Sequence, residues 1–131
     1  MHELTKQILD TVQVGVLATV NSDNSPLASP LHFARCDDKI VWMSDRTANH
    51  SQNIKRSGKV QFVVWNEQKQ AIYLDTTASR VGADDEADVR ASYSKKLGGF
   101  MPNFTNPQFY QAKIGQIDEN STTGNWLHFV A

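Results

Sequence analysis

The amino-acid sequence predicts a mainly β fold, an antiparallel barrel or sandwich with flanking helices, and three observations carry that prediction. Seven apolar runs of strand length are spread over 131 residues. Most successive runs are separated by short polar turns, which join neighbours antiparallel. Only three stretches have helical spacing or helical charge order. That is too few for a parallel sheet and leaves a small barrel or sandwich.

The elements follow in order. "HELTKQILDTV" places Leu4, Ile8 and Val12 on one face among polar residues, an amphipathic helix. "VGVLATV" is a β-rich run, "NSDNSP" a dense turn signal, and "LASPLHFARC" the return strand. Pro30 lies inside that strand and, having no N–H, places it at a sheet edge or a bulge. "DDKIVWMS" is a third strand after a tight turn. A helix from about Thr47 to Arg56 follows, stopped by Ser57-Gly58. "KVQFVVW" and "AIYLDTTASRV" are the next strands, the latter alternating through Ile72, Leu74 and Thr76. "GADDEADVRASYSKKLGG" has acids in its first turn, lysines in its last and glycines to stop it, the clearest helix of the chain. After the loop "FMPNFTNP", the runs "FYQAKIGQID" and "GNWLHFV" are two closing strands.

This length fits one domain spanning residues 1–131. A formal charge of −1 argues against a nucleic-acid partner, and no stretch approaches the ~20 apolar residues of a membrane span. The start "MHELTKQILD" lacks the basic and apolar segments of a secretory leader, so a cytoplasmic protein is expected. The single cysteine, Cys36, leaves no internal disulfide or CxxC pair. His2, His32, His50 and His128 show no metal-ligand spacing, so no metal site is expected. Phosphate-loop and nucleophile-elbow motifs are also missing. "IVWM" and "FVVW" are apolar at consecutive positions, so both faces of those strands need cover from a helix, a flat ligand or a second copy of the chain. A homodimer is the expectation.

The informative stretch is "SDRTANHSQNI", where a strand stops in hydroxyls and a helix opens. A helix start presents unpaired N–H groups with partial positive charge. Ser44, Arg46, Thr47 and His50 add donors, and Asp45 or Thr47 is placed to cap the helix. Two readings stand at this level: a cradle for a phosphate dianion, or a capped surface helix with a solvated arginine.

The run from Val14 to Trp65 resembles the N-terminal half of the pyridoxamine 5′-phosphate oxidase-like family of FMN-binding split β-barrels. The resemblance is carried by Leu17-Ala18-Thr19, Pro30-Leu31-His32-Phe33, Ser44 and the helix segment from His50 to Asn53-Ile54. It continues more loosely to "NWLHF". It implies a split antiparallel β-barrel and a homodimer with FMN between subunits. The backbone of Ser29, Pro30, Leu31, His32 and Phe33 would lie along the flavin ring. Met43 and Ser44 would border the ribityl chain and phosphate; Arg46, Thr47, Asn49 and His50 match the phosphate-binding segment. Gln70 matches a ring-contacting glutamine of some members, and Trp126 a residue contributed by the partner chain.

Departures narrow the implied activity. The oxidase carries Arg-Lys where this chain has Asn49-His50, and an arginine where it has Ala28. An imidazole in place of a permanent cation makes phosphate binding pH-sensitive. The oxidase's arginine-bearing C-terminal substrate segment has no counterpart, so pyridoxamine phosphate oxidation is not expected. The expected function is an FMN-dependent oxidoreductase with an electron donor such as NAD(P)H and a small-molecule substrate. The alternative is a non-catalytic module holding flavin, haem or a deazaflavin. Trp42 and Trp65 read as core or dimer packing, Cys36 as a bystander, and Lys55, Arg56 and Lys59 as a solvated face. His32 admits a ring-side role or inward packing, and His128 reads as structural.

Overall fold

A computed structural model describes residues 2–131. Helix α1 (Glu3–Thr11) buries Ile8 and Leu9 and leaves Glu3, Gln7 and Asp10 in solvent, as its spacing requires. Strand β1 (Val14–Val20) turns through Asn21–Ser25 into β2 (Pro26–His32), its antiparallel partner. Asp23 closes that turn by accepting from the Ser25 N–H at 3.0 Å. On its other side β1 pairs with β5 (Lys59–Trp65), and β5 pairs with β6 (Ala71–Arg80). The second half of the sheet holds β3 (Ala34–Cys36), β4 (Lys39–Asp45) and β7 (Pro107–Lys113). The order is β2-β1-β5-β6-β7-β4-β3, curled into a split barrel. Helix α2 (Asn49–Arg56) follows β4, and α3 (Glu86–Lys96) lies on the β3–β4–β7 half. Strands β8 (Gln116–Ile117) and β9 (Trp126–Val130) complete the sheet beside β6.

Among the described residues β2 pairs only with β1, so Pro30 sits at a sheet edge, where its missing N–H breaks no ladder. The alternation in β6 also appears as expected, with Ile72, Leu74, Thr76 and Ala78 turned inward. Two expected strands are broken. "LASPLHFARC" divides at Phe33, because residues 26–32 pair with β1 while residues 34–36 pair with β4. The change of partner carries the chain from one half of the barrel to the other. The run after β7 breaks at Gly115, whose φ of +78° puts it in the left-handed region. A Cβ there would fall on the Val130 carbonyl, so only glycine fits.

One pairing departs from antiparallel order. β8 continues in the direction of β7, the 118–125 segment reverses the chain, and β9 therefore lies parallel to β6, with Leu127 opposite Ile72.

The two apolar clusters correct one premise about cover. In β4, Ile40 and Trp42 enter the barrel, while Val41 and Met43 pack against Val89, Tyr93 and Leu97 of α3 and its end. The second face of "IVWM" is thus covered within the chain. In β5 only the inner face is covered: Phe62 and Val64 are buried, but Trp65 is 53% exposed.

Lys96 fastens α3 to α1. Its ammonium donates to the carbonyls of Leu9 at 2.8 Å and Val12 at 2.6 Å, and lies 3.5 Å from the centre of the Phe33 ring. Burial lowers its pKa to about 7, opposed by the Asp10 carboxylate. Lys96→Met keeps the stem but leaves two carbonyls without that donor. An unfolding free energy lower by about 2 kcal/mol is expected, read from urea denaturation.

Candidate functional site

The strand-to-helix junction is built by β4 ending in a polar residue that faces the open end of the barrel. Ser44 shares the inward side of Ile40 and Trp42 and is 3% exposed. Its Oγ lies 2.8 Å from Nε2 of His50, in the first turn of α2. Burial of the imidazole lowers its pKa below the ordinary 6.5. On the same side of α2, Asn53 is 5% exposed and donates to Thr19 Oγ1 at 2.9 Å and Asn21 Oδ1 at 2.8 Å. Its own Oδ1 accepts from Arg56 at 3.0 Å. Asn53 therefore pins α2 to β1, which explains why an amide with both donors and an acceptor occupies this position.

The cap differs from expectation. α2 begins at Asn49, and the residue before it, Ala48, has no side chain able to cap. Asp45 instead closes a turn: one carboxylate oxygen accepts from the Thr47 N–H at 2.8 Å and hydroxyl at 2.6 Å, the other from the Asn106 N–H at 3.2 Å. The Thr47 hydroxyl holds the Asp45 carboxyl below its usual pKa. The first-turn amides of α2 are left without a side-chain cap, as an anion-binding helix start requires.

The remaining candidates fall in three places. Leu31 of β2 and Phe33 just beyond it point into the barrel, and the Phe33 N–H donates to the Gln13 carbonyl at 3.2 Å, so the alternation of the ladder leaves the Pro30 carbonyl and the His32 backbone groups on the free edge. Ser29 is partly exposed and Pro30 exposed, while His32 packs against Phe100 with ring centroids 4.8 Å apart. Met43 faces α3 and not the helix start. Arg46, Thr47 and Asn49 are exposed around the junction. Gln70 and Trp126 lie at the other end of β6: Gln70 accepts from Asn66 at 2.8 Å to close the β5–β6 turn, and Trp126 pairs with Ala71. Nine residue steps of β6 separate Ala71 from Arg80, about 30 Å of strand. The chain thus gathers Ser44 and His50 and exposes the β2 edge, but keeps Gln70 and Trp126 apart from α2.

A cavity of about 520 Å³ opens on the other flank of α2, between that helix, the end of β6 and β7. It includes Arg46 and Thr47, together with Lys55 and Arg80, which local sequence pattern did not mark as site residues. Arg80 ends a strand with no motif around it, and only the fold brings it to α2.

The class the architecture defines is the split β-barrel with an uncapped helix start after β4. The family model described as pyridoxamine 5′-phosphate oxidase matches residues 1–120, and the chain belongs to that family. No curated protein matches the chain. A heme binding protein from Mycobacterium smegmatis superposes with a TM-score of 0.74 at 17% identity, covering 86% of this chain and 50% of that one. The chain therefore spans half the length of that protein. A FAD-binding protein from Mesorhizobium loti gives 0.67 at 17% identity, covering 88% of this chain and 91% of its own. An F420 reductase gives 0.67 at 15% identity, covering 82% and 90%. At these identities the likeness is one of fold. No helix among the described residues is long and apolar enough to cross a membrane.

The lowered His50 pKa makes stability depend on pH. The folded chain resists protonation of this ring while the unfolded chain does not. Its contribution is fully present above pH 6.5 and lost as pH falls through the lower folded value. Melting curves in this acid window should decline less steeply for His50→Gln than for the unaltered chain.

Proposed function

We propose that this chain is a cytoplasmic FMN-binding oxidoreductase, acting as a homodimer that holds the flavin in the seam between protomers. The observation that carries the reading is the uncapped start of α2, with the Ser44–His50 pair beneath it, on a helix fixed through Asn53 to Thr19 and Asn21 where β1 turns into β2. The residues fit the cofactor. Within the Ser29 to Phe33 segment the free edge presents the Pro30 carbonyl and the His32 N–H and carbonyl to the pyrimidine rim of a flavin. The first-turn amides, Ser44, Asn49 and His50 offer donors to its phosphate. Bound flavin would supply the hydride-accepting and hydride-donating chemistry, with NAD(P)H as donor to a small-molecule acceptor. The chain's own part is to bind, orient and exclude water.

The dimer is supported by the outer face of β1, β5 and β9, which leaves Val14 44%, Trp65 53% and Trp126 53% exposed. A two-fold partner on this face would cover those side chains and deliver a second Trp126 to the seam. A second reading, a non-catalytic holder of flavin, haem or deazaflavin, is favoured by the partly exposed imidazole of His32 on the edge strand β2 and by the described ligands of the three structural neighbours. The absorption spectrum after incubation with FMN, haem or a deazaflavin separates these readings, and turnover of NADH with an artificial acceptor separates enzyme from holder.

The phosphate assignment has its own test. Protonated His50 attracts a dianion and neutral His50 does not, so FMN affinity should fall as pH rises through the His50 pKa. His50→Gln should flatten that dependence and weaken FMN by about tenfold in the acid limb, the effect of one charge-assisted hydrogen bond. Riboflavin, which lacks the phosphate, should bind both proteins within twofold of each other. Equal losses for FMN and riboflavin would remove His50 from the phosphate.

A further inference from the structure

The flank of α2 that faces away from Ser44 and β1 carries a feature unused by the flavin reading. A helix advances 100° per residue, so Asn49, His50 and Asn53 look toward β1 and β4 while Ser51, Ile54 and Lys55 look toward the end of β6. There the cavity of about 520 Å³ is floored by Ile54, Ala78 and Tyr110, all buried. Its mouth carries Arg46, Lys55 and Arg80. Among the described residues the ion pairs are Arg35 with Asp10 and His128 with Asp75, so these three cations have no carboxylate within 4.0 Å. The nearby Asp45 carboxylate is engaged by Thr47 and Asn106.

Two details show a built site. Gln108 accepts from Arg80 Nε at 3.1 Å and Nη2 at 2.8 Å, and its amide is itself oriented by donating to the Phe109 carbonyl at 2.9 Å. The guanidinium is thus held with its remaining N–H groups unpaired. Ser51 lines the cavity, is 2% exposed, and its hydroxyl has no hydrogen-bond partner among the described residues. A buried hydroxyl left unpaired costs free energy unless a ligand satisfies it.

We propose that this cavity is a second ligand site, for a phosphate monoester with an apolar body, distinct from the flavin phosphate seat on the His50 flank. The phosphate takes the Arg46–Lys55–Arg80 mouth, the apolar part lies on Ile54, Ala78 and Tyr110, and Ser51 donates to an oxygen of the ligand. The volume suits a small organic ligand. The three cations match a dianion better than a monocarboxylate.

Phenyl phosphate is the probe, titrated calorimetrically into the full chain at low ionic strength, with benzoate as the monoanion control. One-to-one saturable binding is expected, weaker for benzoate and weakened by added salt. Lys55→Ala combined with Arg80→Ala should reduce affinity about tenfold or more, two charge-assisted contacts being lost. Ser51→Ala should bind phenyl phosphate less tightly yet melt no lower than the parent, because the hydroxyl gives up no partner in the free chain. His50→Gln should bind it unchanged, and saturating FMN should not displace it. Absence of saturable heat at millimolar phenyl phosphate, parental affinity in the double variant, or displacement by FMN would each overturn the second site. The titration reads this cavity whether or not the chain binds flavin, so its failure is separable from failure of the flavin reading.

Discussion

Every buried backbone donor in a barrel needs a partner, and β6 is where this constraint shapes the molecule. Residues 71–77 pair with β5, residues 71–75 also pair with β9, and residues 78–80 pair with β7. One ten-residue strand therefore belongs to both halves of the barrel. Its change of partner carries Ala78, Ser79 and Arg80 out of the β5 ladder and along the flank of α2. The Ala78 N–H still donates to the Gly58 carbonyl at 2.8 Å, so the crossing leaves no amide unsatisfied where α2 gives way to β5.

The helices divide the remaining work. α3 covers the second face of β4 and seals Val41, Met43 and Phe109 away from water. α2 sits across the open end of the barrel with Ile54 inward and Asn53 locked to Thr19 and Asn21. Because α2 is fixed on one side by Asn53 and through Asp45 to the 106 loop on the other, its first turn has a defined direction. Both polar flanks, one with His50 and one with Ser51, inherit their geometry from that fixation.

Much of this was legible from local pattern. The β runs, the edge position of Pro30 and the inward alternation of β6 follow from residue type and spacing, and the motif order from Leu17 to Ile54 pointed to the family. What escaped depends on tertiary position. Residues 26–32 and 34–36 pair with different strands, and no periodicity distinguishes that from one continuous strand. Asp45 and Thr47 are good capping residues, yet they bond to each other and leave Ala48 at the cap. Met43 reads as a neighbour of Ser44, but alternation in β4 turns it to the opposite face. Arg80 and Asn106 are remote from α2 in sequence and meet it only because β6 crosses between the halves.

The placement of the three tryptophans equips the molecule with its own optical gauge. Trp42 is sealed within the barrel and stacks on Tyr110 at 6.1 Å, whereas Trp65 and Trp126 stand on the bare outer face. Emission from the buried indole belongs to the intact interior and is shielded from dissolved quenchers, while the outer two report what touches that face. Collisional quenching therefore sorts the signal into interior and surface parts without any label, and a change confined to the surface part marks an encounter rather than a loss of structure.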